Sequence, residues 1–258
     1  MVVAAIEGRA EEKAFPPAIE DNSYLLEEAY NQDAGVVQHI ATFVHFRTPV
    51  PVSDLAFTQE WPLGGQRHQA SYSIPYSWVE GDSGFRNIFL NYRLQLVDPD
   101  RGVAVAPRLS LIVPVGPDDA MKGGLQTNVA FSRRTSAHLA LHANLGGTLI
   151  RRESDALASG VETRTLNAVN AGLGIVGMVT PTFNVMVEGV VASAQDLDGD
   201  GRTARSTAVV VAPGVRLAIN RGSLQIVYGA GAPITFADDR TDVGGYLYLS
   251  FEHAFKKN

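Results

Sequence analysis

The sequence predicts an all-β protein, a transmembrane antiparallel up-and-down β-barrel of about 12 strands that follows a short N-terminal segment. Three observations support this fold class. Long segments alternate between apolar and polar residues, no helical pattern interrupts them, and the connections between them alternate between short and long. Alternation with a period of two is typical of strands that have one apolar face.

The alternating segments follow one another along almost the whole chain. In one of them, Leu90 and Tyr92 alternate with Asn91 and Arg93. We place the predicted strands at about residues 35–47, 54–62, 67–79, 85–97, 103–115, 124–134, 137–150, 163–179, 182–194, 206–219, 223–233 and 245–256.

Bulky residues share one face of each segment, and small or polar residues share the other. A soluble sandwich would need bulky faces that meet each other in a core. Long strands without helices to cover their apolar faces instead predict a closed barrel, with lipid outside and a polar lumen inside.

The connections sort by length, which fixes the orientation of the barrel. Alternate links are short, while the links between them are generally longer and more polar. Outer-membrane barrels have short periplasmic turns and longer external loops. The short links are PLGGQ, DPDRG, RTS, TPT and NRG, and the long ones are RTPVPVS, VEGDSG, GPDDAMKGG, RRESDALASGVE, QDLDGDGRTAR and TFADDRTDVG.

Aromatic residues lie where the membrane interfaces are expected. Trp61 and Phe183 lie at the predicted periplasmic rim, and Phe46 and Trp78 lie at the external rim. The last segment, YLYLSFEHAF, ends on Phe255 and resembles the closing strand of outer-membrane barrels. We therefore expect the chain in the outer membrane of a Gram-negative bacterium, with its lipid as one partner.

Composition excludes other classes. The net charge of -6 and the lack of a Lys/Arg cluster argue against nucleic acid as a partner. The chain has no cysteine, which excludes disulfides and thiolate metal sites. The first thirteen residues lack the basic region and long apolar run of a signal peptide, so we expect a processed chain or a start further upstream.

Three stretches resemble a known family of bacterial outer-membrane proteins. They are PPAIEDNSYLLEEAYNQDAGVVQHIATF at 16–43, FTQEWPL at 57–63 with the following RHQASYSIPY, and NIFLNYRLQL with VAPRLSLIVPVG. In these stretches the chain resembles the MetA-pathway of phenol degradation family. The resemblance implies an outer-membrane barrel that passes small, including aromatic, molecules, and it implies no catalytic residue.

The inward faces of the predicted strands collect charged and amide side chains. Arginines that face acids across a narrow lumen set a field that selects solutes, and we expect preference for anionic or polarised aromatic solutes. The alternative is that these charges pair and fill a small barrel. The predicted lumen residues are Arg93, Arg108, Arg134, Arg216, Glu60, Glu188, Glu252, His138, His142, Asn87 and Asn91.

Neither of two candidate metal sites is strong. His138 and His142 lie four residues apart on one predicted strand, roughly 13 Å apart, which is too far to share one ion. Asp196, Asp198 and Asp200 have the spacing that opens a calcium loop, but Thr207 occupies the position where a bidentate Glu is required. We expect a solvated acidic loop and no cofactor, with calcium as a weak alternative.

The chain divides into residues 1–34, a periplasmic segment or plug, and residues 35–258, the barrel. The acidic, apolar YLLEEAY motif favours insertion into the periplasmic mouth, and a tail that contacts another envelope protein is the alternative.

The predicted function is passage of small solutes without covalent chemistry. One alternative is a non-conducting scaffold that binds a partner through its loops or N-terminus. A less favoured alternative is a lipid-modifying enzyme, which would require a Ser/His pair at the outer rim.

Overall fold

The computed structural model describes residues 19, 21–47, 50–116, 120–154, 162–198, 200–238 and 240–255. The strands are β1 Val36–Phe46, β2 Val52–Pro62, β3 His68–Val79, β4 Asp82–Phe85, β5 Ile88–Leu94, β6 Ala104–Val113, β7 Met121–Ser136, β8 Leu139–Ser154, β9 Glu162–Thr180, β10 Phe183–Leu197, β11 Thr203–Arg221, β12 Leu224–Gly231, β13 Ile234–Ala237 and β14 Arg240–Ala254. A single 3₁₀ turn, Pro99–Arg101, joins β5 to β6.

Twelve of the strands form a closed antiparallel barrel, which confirms the predicted fold class. Each of these strands pairs with its neighbours in chain order, and β1 pairs with β14 to close the sheet. The closing register runs from Val36 opposite Ala254 to Phe46 opposite Gly244. A closed sheet leaves no unpaired edge in the membrane, where an unpaired backbone group would be costly.

The two remaining strands, β4 and β13, are short additions to the barrel wall. β4 pairs with β3, and β13 pairs with β11 and β14. Both strands belong to connections that were predicted as long external loops. Some strands are also longer than predicted, since β9 and β11 have 19 residues each. Apolar alternation fades where a strand leaves lipid, although its backbone pairing continues beyond that point.

The connections alternate between the two ends of the barrel, and the two-residue β7–β8, β9–β10 and β11–β12 turns all lie at the same end, although the β5–β6 link there is longer than predicted. The β2–β3, β5–β6, β7–β8, β9–β10 and β11–β12 links form what we call the short-turn end. The other links form the long-loop end. Among the described residues, no helix is long and apolar enough to cross a membrane.

The outer face is apolar and the inner face is polar. Leu173 is 70% exposed on the outer face, and Leu145, Leu247 and Val169 are similarly exposed. Polar side chains such as Gln69 are instead buried inside. Because this pattern reverses that of a soluble protein, lipid is the medium that covers the outer face. The chain is thus an outer-membrane β-barrel.

Candidate functional site

The lumen contains residues 21–33 of the chain, which we call the inner segment. It has neither helix nor strand, and most of its side chains are buried. It folds back on itself, since the Gln38 amide donates to Asp21 Oδ1 at 2.6 Å and its Oε1 accepts from Gln32 Nε2 at 2.6 Å. Its contacts reach inward-facing side chains on β1, β3, β5, β6, β7, β8, β10, β11 and β14.

Side chains of the wall bind the backbone of the inner segment. Glu188 Oε2 accepts the N–H groups of Tyr24 and Leu25 at 2.8 and 3.0 Å. The Asn144 amide accepts the Glu27 N–H at 2.9 Å and donates to the Glu27 carbonyl at 2.8 Å. Buried backbone groups require partners, and a chain without secondary structure has to find them elsewhere. The polar lumen thus supplies bonds that a helix or strand would make internally.

Tyr24 anchors the inner segment against the wall. Its hydroxyl donates to the Ala230 carbonyl at 3.0 Å and also contacts the Val215 carbonyl. Its ring lies on glycines of β11 and β12, and a Cβ atom placed on Gly231 would come within 2.7 Å of the ring. Burial raises the pKa of Tyr24 to about 12, so the hydroxyl remains a donor at neutral pH.

Ion pairs join the inner segment to the arginines of the wall. Arg216 Nη2 lies 2.8 Å from Glu28 Oε1, and Arg108 Nη2 lies 2.7 Å from Glu27 Oε1. Arg93 lies 3.9 Å from both Glu27 and Glu60. Burial raises the pKa of Glu27, but the charges of Arg108 and Arg93 outweigh burial and leave it below its ordinary value. Glu27 is therefore ionised and neutralises the arginines beside it.

Asp21 occupies a different environment from the two glutamates. It accepts hydrogen bonds from Tyr248 and Ser250 of β14, both at 2.5 Å. Burial raises the pKa of Asp21 above its ordinary value despite these bonds and the nearby Arg216 charge. The acids of the inner segment thus differ in role, since Glu27 pairs with arginines and Asp21 is held chiefly by neutral donors.

Most of the predicted lumen residues surround the inner segment. Eight of them form hydrogen bonds or ion pairs with the segment or with one another, or line a cavity next to it. These residues are Arg93, Arg108, Arg216, Glu60, Glu188, Glu252, His142 and Asn91. Arg134 contacts the Ala137 carbonyl in the β7–β8 turn. Asn87 lies between β4 and β5, outside the strands.

The prediction that His138 shares a strand with His142 is wrong. His138 lies in the turn before β8, exposed, with its Nδ1 atom 3.2 Å from the Met178 carbonyl. The alternating pattern was extended into this turn because no glycine or proline marks the start of β8 at Leu139.

The three aspartates of the candidate calcium loop lie at the long-loop end, Asp196 within β10 and Asp198 and Asp200 after it. Asp198 Oδ1 accepts the backbone N–H groups of Asp200 and Arg202 at 3.0 and 2.8 Å. In the described part of the chain, no group of three or more His, Asp or Glu side chains has an arrangement that could hold a metal ion. Gly199 lies outside the described residues.

Sequence reasoning missed several uncharged residues that hold the inner segment. Gln95 accepts the Asn31 N–H and donates to the Ala29 carbonyl, and Gln69 Oε1 accepts the Gln32 N–H at 2.8 Å. The available signal was that large amides occupy inward positions beside charged ones.

Among the described residues, two Ser/His pairs bear on the enzyme alternative. Inside the barrel, Ser132 Oγ lies 2.8 Å from His142 Nδ1, and His142 Nε2 lies 3.8 Å from Glu28. Ser132 also accepts the Ala29 N–H at 2.7 Å, and Ser132 and His142 are only 2% and 3% exposed. The inner segment therefore covers this serine, and the arrangement has a structural role in holding that segment.

The second pair lies on the outer face near the long-loop end. His45 Nδ1 lies 2.9 Å from Ser53 Oγ across β1 and β2. Nucleophilic catalysis also needs a group that orients the histidine. On β14, the residue opposite His45 is Gly245, which has no side chain to do so. A single cross-strand hydrogen bond explains this pair.

The inner segment lies between two cavities in the lumen. The cavity toward the long-loop end has a volume of about 370 Å³, and residues 22–27 of the inner segment form one side of it. The cavity toward the short-turn end has about 180 Å³ and is bounded by residues 30–33 with Gln66 and Gln225. A third space, beside Arg93 and Glu60, has about 10 Å³, which is room for about one water.

Comparison with known proteins gives a likeness in structure. No protein-family model matches the chain, and no curated protein matches it. The solved structure of the COG4313 outer membrane channel from Pseudomonas putida F1 aligns with a TM-score of 0.65 and 11% identity, over 88% of this chain and 98% of that one. The NanC porin and the β-domain of the Bordetella autotransporter BrkA each have a TM-score of 0.49, at 10% and 15% identity, over 83% and 87% of this chain and 98% and 100% of theirs.

The likeness to the COG4313 channel, with its TM-score of 0.65, shows the fold. The resemblance to the phenol-degradation family, which was read from the sequence, stays a prediction.

Proposed function

We propose that the chain is an outer-membrane channel for small solutes and that the inner segment closes its lumen. The observation that carries this proposal is the placement of residues 21–33 between two wider cavities. The likeness to a protein described as an outer membrane channel supports the same function.

The pairing of charges favours a closed resting state. The carboxylates of Glu27 and Glu28 neutralise Arg108 and Arg216, so the arginines predicted to select solutes are occupied while the segment is in place. If the segment leaves, these arginines lose their partners and the lumen becomes more positive. Anion preference is therefore proposed as a property of the opened channel.

The non-conducting scaffold remains a second candidate, because the many bonds to the inner segment are also those of a permanent filling. Single-channel recording in planar bilayers with a salt gradient distinguishes the two functions. The full chain is compared with a chain that lacks residues 16–33, and heat-modifiable migration on gels verifies that both are folded.

We expect the full chain to conduct rarely and the shortened chain to give large, discrete, anion-preferring steps. A shortened chain that is folded and silent would overturn the channel and favour the scaffold.

A further inference from the structure

The barrel wall holds the Arg108 side chain in one orientation. Its Nη1 atom donates to Asn91 Oδ1 at 3.0 Å and contacts Ser110 Oγ, and its Nη2 atom donates to Gln126 Oε1 at 2.9 Å. These acceptors belong to β5, β6 and β7, so none of them depends on the inner segment for its place in the wall. The guanidinium is therefore preorganised by the wall alone.

One edge of this guanidinium points at the inner segment. Nε and Nη2 of Arg108 lie 2.8 and 2.7 Å from the same atom, Glu27 Oε1. Among the described residues, Glu27 Oε2 has no hydrogen-bond partner, and it lies 3.9 Å from Arg93 Nη1. A carboxylate binds a guanidinium best with two parallel hydrogen bonds, one from each oxygen. Glu27 offers Arg108 one oxygen only, and its other oxygen faces Arg93, so its hold on Arg108 is weaker than that of a carboxylate that offers both oxygens.

A solute that comes from the long-loop end meets this pair. Arg108 and Glu27 both line the cavity of about 370 Å³, and their side chains are 16% and 23% exposed. The Arg216–Glu28 pair, in contrast, is 2% and 3% exposed and lies deeper. Phe89 and Tyr246 line the same cavity and offer ring surfaces to a solute in it.

We propose that the Arg108 edge is a binding site for small carboxylate solutes and that such a solute competes with Glu27 for it. While the channel is closed, the Glu27 carboxylate occupies the position that the carboxylate of the solute would take. Binding of the solute releases one ionic contact of the inner segment, and this last consequence rests on the proposed channel function. The competition itself does not depend on conduction.

Calorimetric titration of the folded protein in detergent tests the competition. The probes are benzoate and benzyl alcohol, which share the ring and differ in charge. The variants are Glu27→Gln, which removes the internal carboxylate, and Arg108→Gln, which removes the binding edge. Asp54→Asn is the matched control, because it removes a carboxylate bonded to Ser77 on the same inner face without touching Arg108.

We expect Glu27→Gln to bind benzoate at least about tenfold more tightly than the natural chain, because a site occupied by a competitor loses apparent affinity in proportion to its occupancy. Asp54→Asn should bind benzoate like the natural chain, and Arg108→Gln should not bind it. Arg108→Lys, which keeps the charge and loses the paired donors, should bind it weakly.

An unchanged benzoate affinity in Glu27→Gln, full binding by Arg108→Gln, or an equal gain for benzyl alcohol would each overturn the inference. A protein that passes the titration but never conducts would overturn the channel and leave the carboxylate site standing. A channel that opens without residues 16–33 but fails the titration would overturn the carboxylate site and leave the channel function standing.

Discussion

At the scale of single residues, position on the inner face matters more than charge. Glu188 was predicted to select solutes, but in the structure its carboxylate accepts two backbone N–H groups of the inner segment. Gln95 and Asn144 are uncharged and donate hydrogen bonds to backbone carbonyls of the same segment. The residues that hold the segment are therefore those whose acceptors and donors match its backbone, whatever their charge.

The glycines around Tyr24 give a prediction at this scale. Gly231→Ala would place a Cβ atom 2.7 Å from the Tyr24 ring. Overpacking of this kind costs about 1 kcal/mol or more, which would raise the released fraction of the inner segment at least about fivefold. Cleavage after Glu27 and Glu28 by a glutamate-specific protease, which acts only on a released segment, measures that fraction.

Gly147→Ala is the matched control for this substitution. A Cβ atom on Gly147 would meet its nearest neighbour, the Ala168 carbonyl, at an ordinary 3.7 Å. Cleavage should be unchanged in this control. In a Tyr24→Ala background, Gly231→Ala should add nothing. Equal acceleration by both glycine substitutions, or none by Gly231→Ala, would show that Tyr24 does not anchor the segment.

At the scale of elements, alternation alone predicted twelve strands and the two faces of every strand except the first. It worked because one face of each strand meets lipid and the other meets polar groups, so the pattern persists along the strand. It could not predict β4 and β13, because a strand of four residues is too short to show a repeating alternation. It also left the two faces of β1 unassigned, and the structure places Gln38 inside and His39 outside, where His39 stacks on Phe251 at 4.5 Å.

The lipid-facing belt gives a prediction for β9. Leu173 lies between Ala143 and Gly189 of the neighbouring strands and is the most exposed of the large apolar residues described. Leu173→Arg should lower the free energy of unfolding in lipid by about 2–4 kcal/mol, because a charge on the lipid face near the middle of the bilayer is costly. Denaturant titration in phospholipid vesicles measures the change.

Thr163→Arg is the control on the same strand and face. Thr163 is exposed close to the long-loop end, where the cost of a charge should fall to about 0–1 kcal/mol. If both substitutions cost the same, the Leu173 face of β9 would not be in contact with lipid.

At the scale of the whole molecule, the barrel and the inner segment depend on contacts that are distant in sequence. Tyr24 and Glu188 are 164 residues apart, and Asp21 and Ser250 are 229 apart. The sequence predicted that YLLEEAY inserts into the barrel, since an acidic motif with an apolar centre suits a lumen that contains arginines. It could not predict which arginine meets which acid, because that depends on the register of the closed sheet and on how the segment folds back.

The central claim is that the inner segment itself closes the lumen. The most direct measurement adds a synthetic peptide of residues 16–33 to the chain that lacks them, on the short-turn side of a planar bilayer, while conductance is recorded. The account predicts that the peptide closes the channel reversibly in proportion to its concentration, and that a peptide of the same composition in scrambled order leaves it open. Equal block by both peptides, or no block by the natural one, would contradict the account.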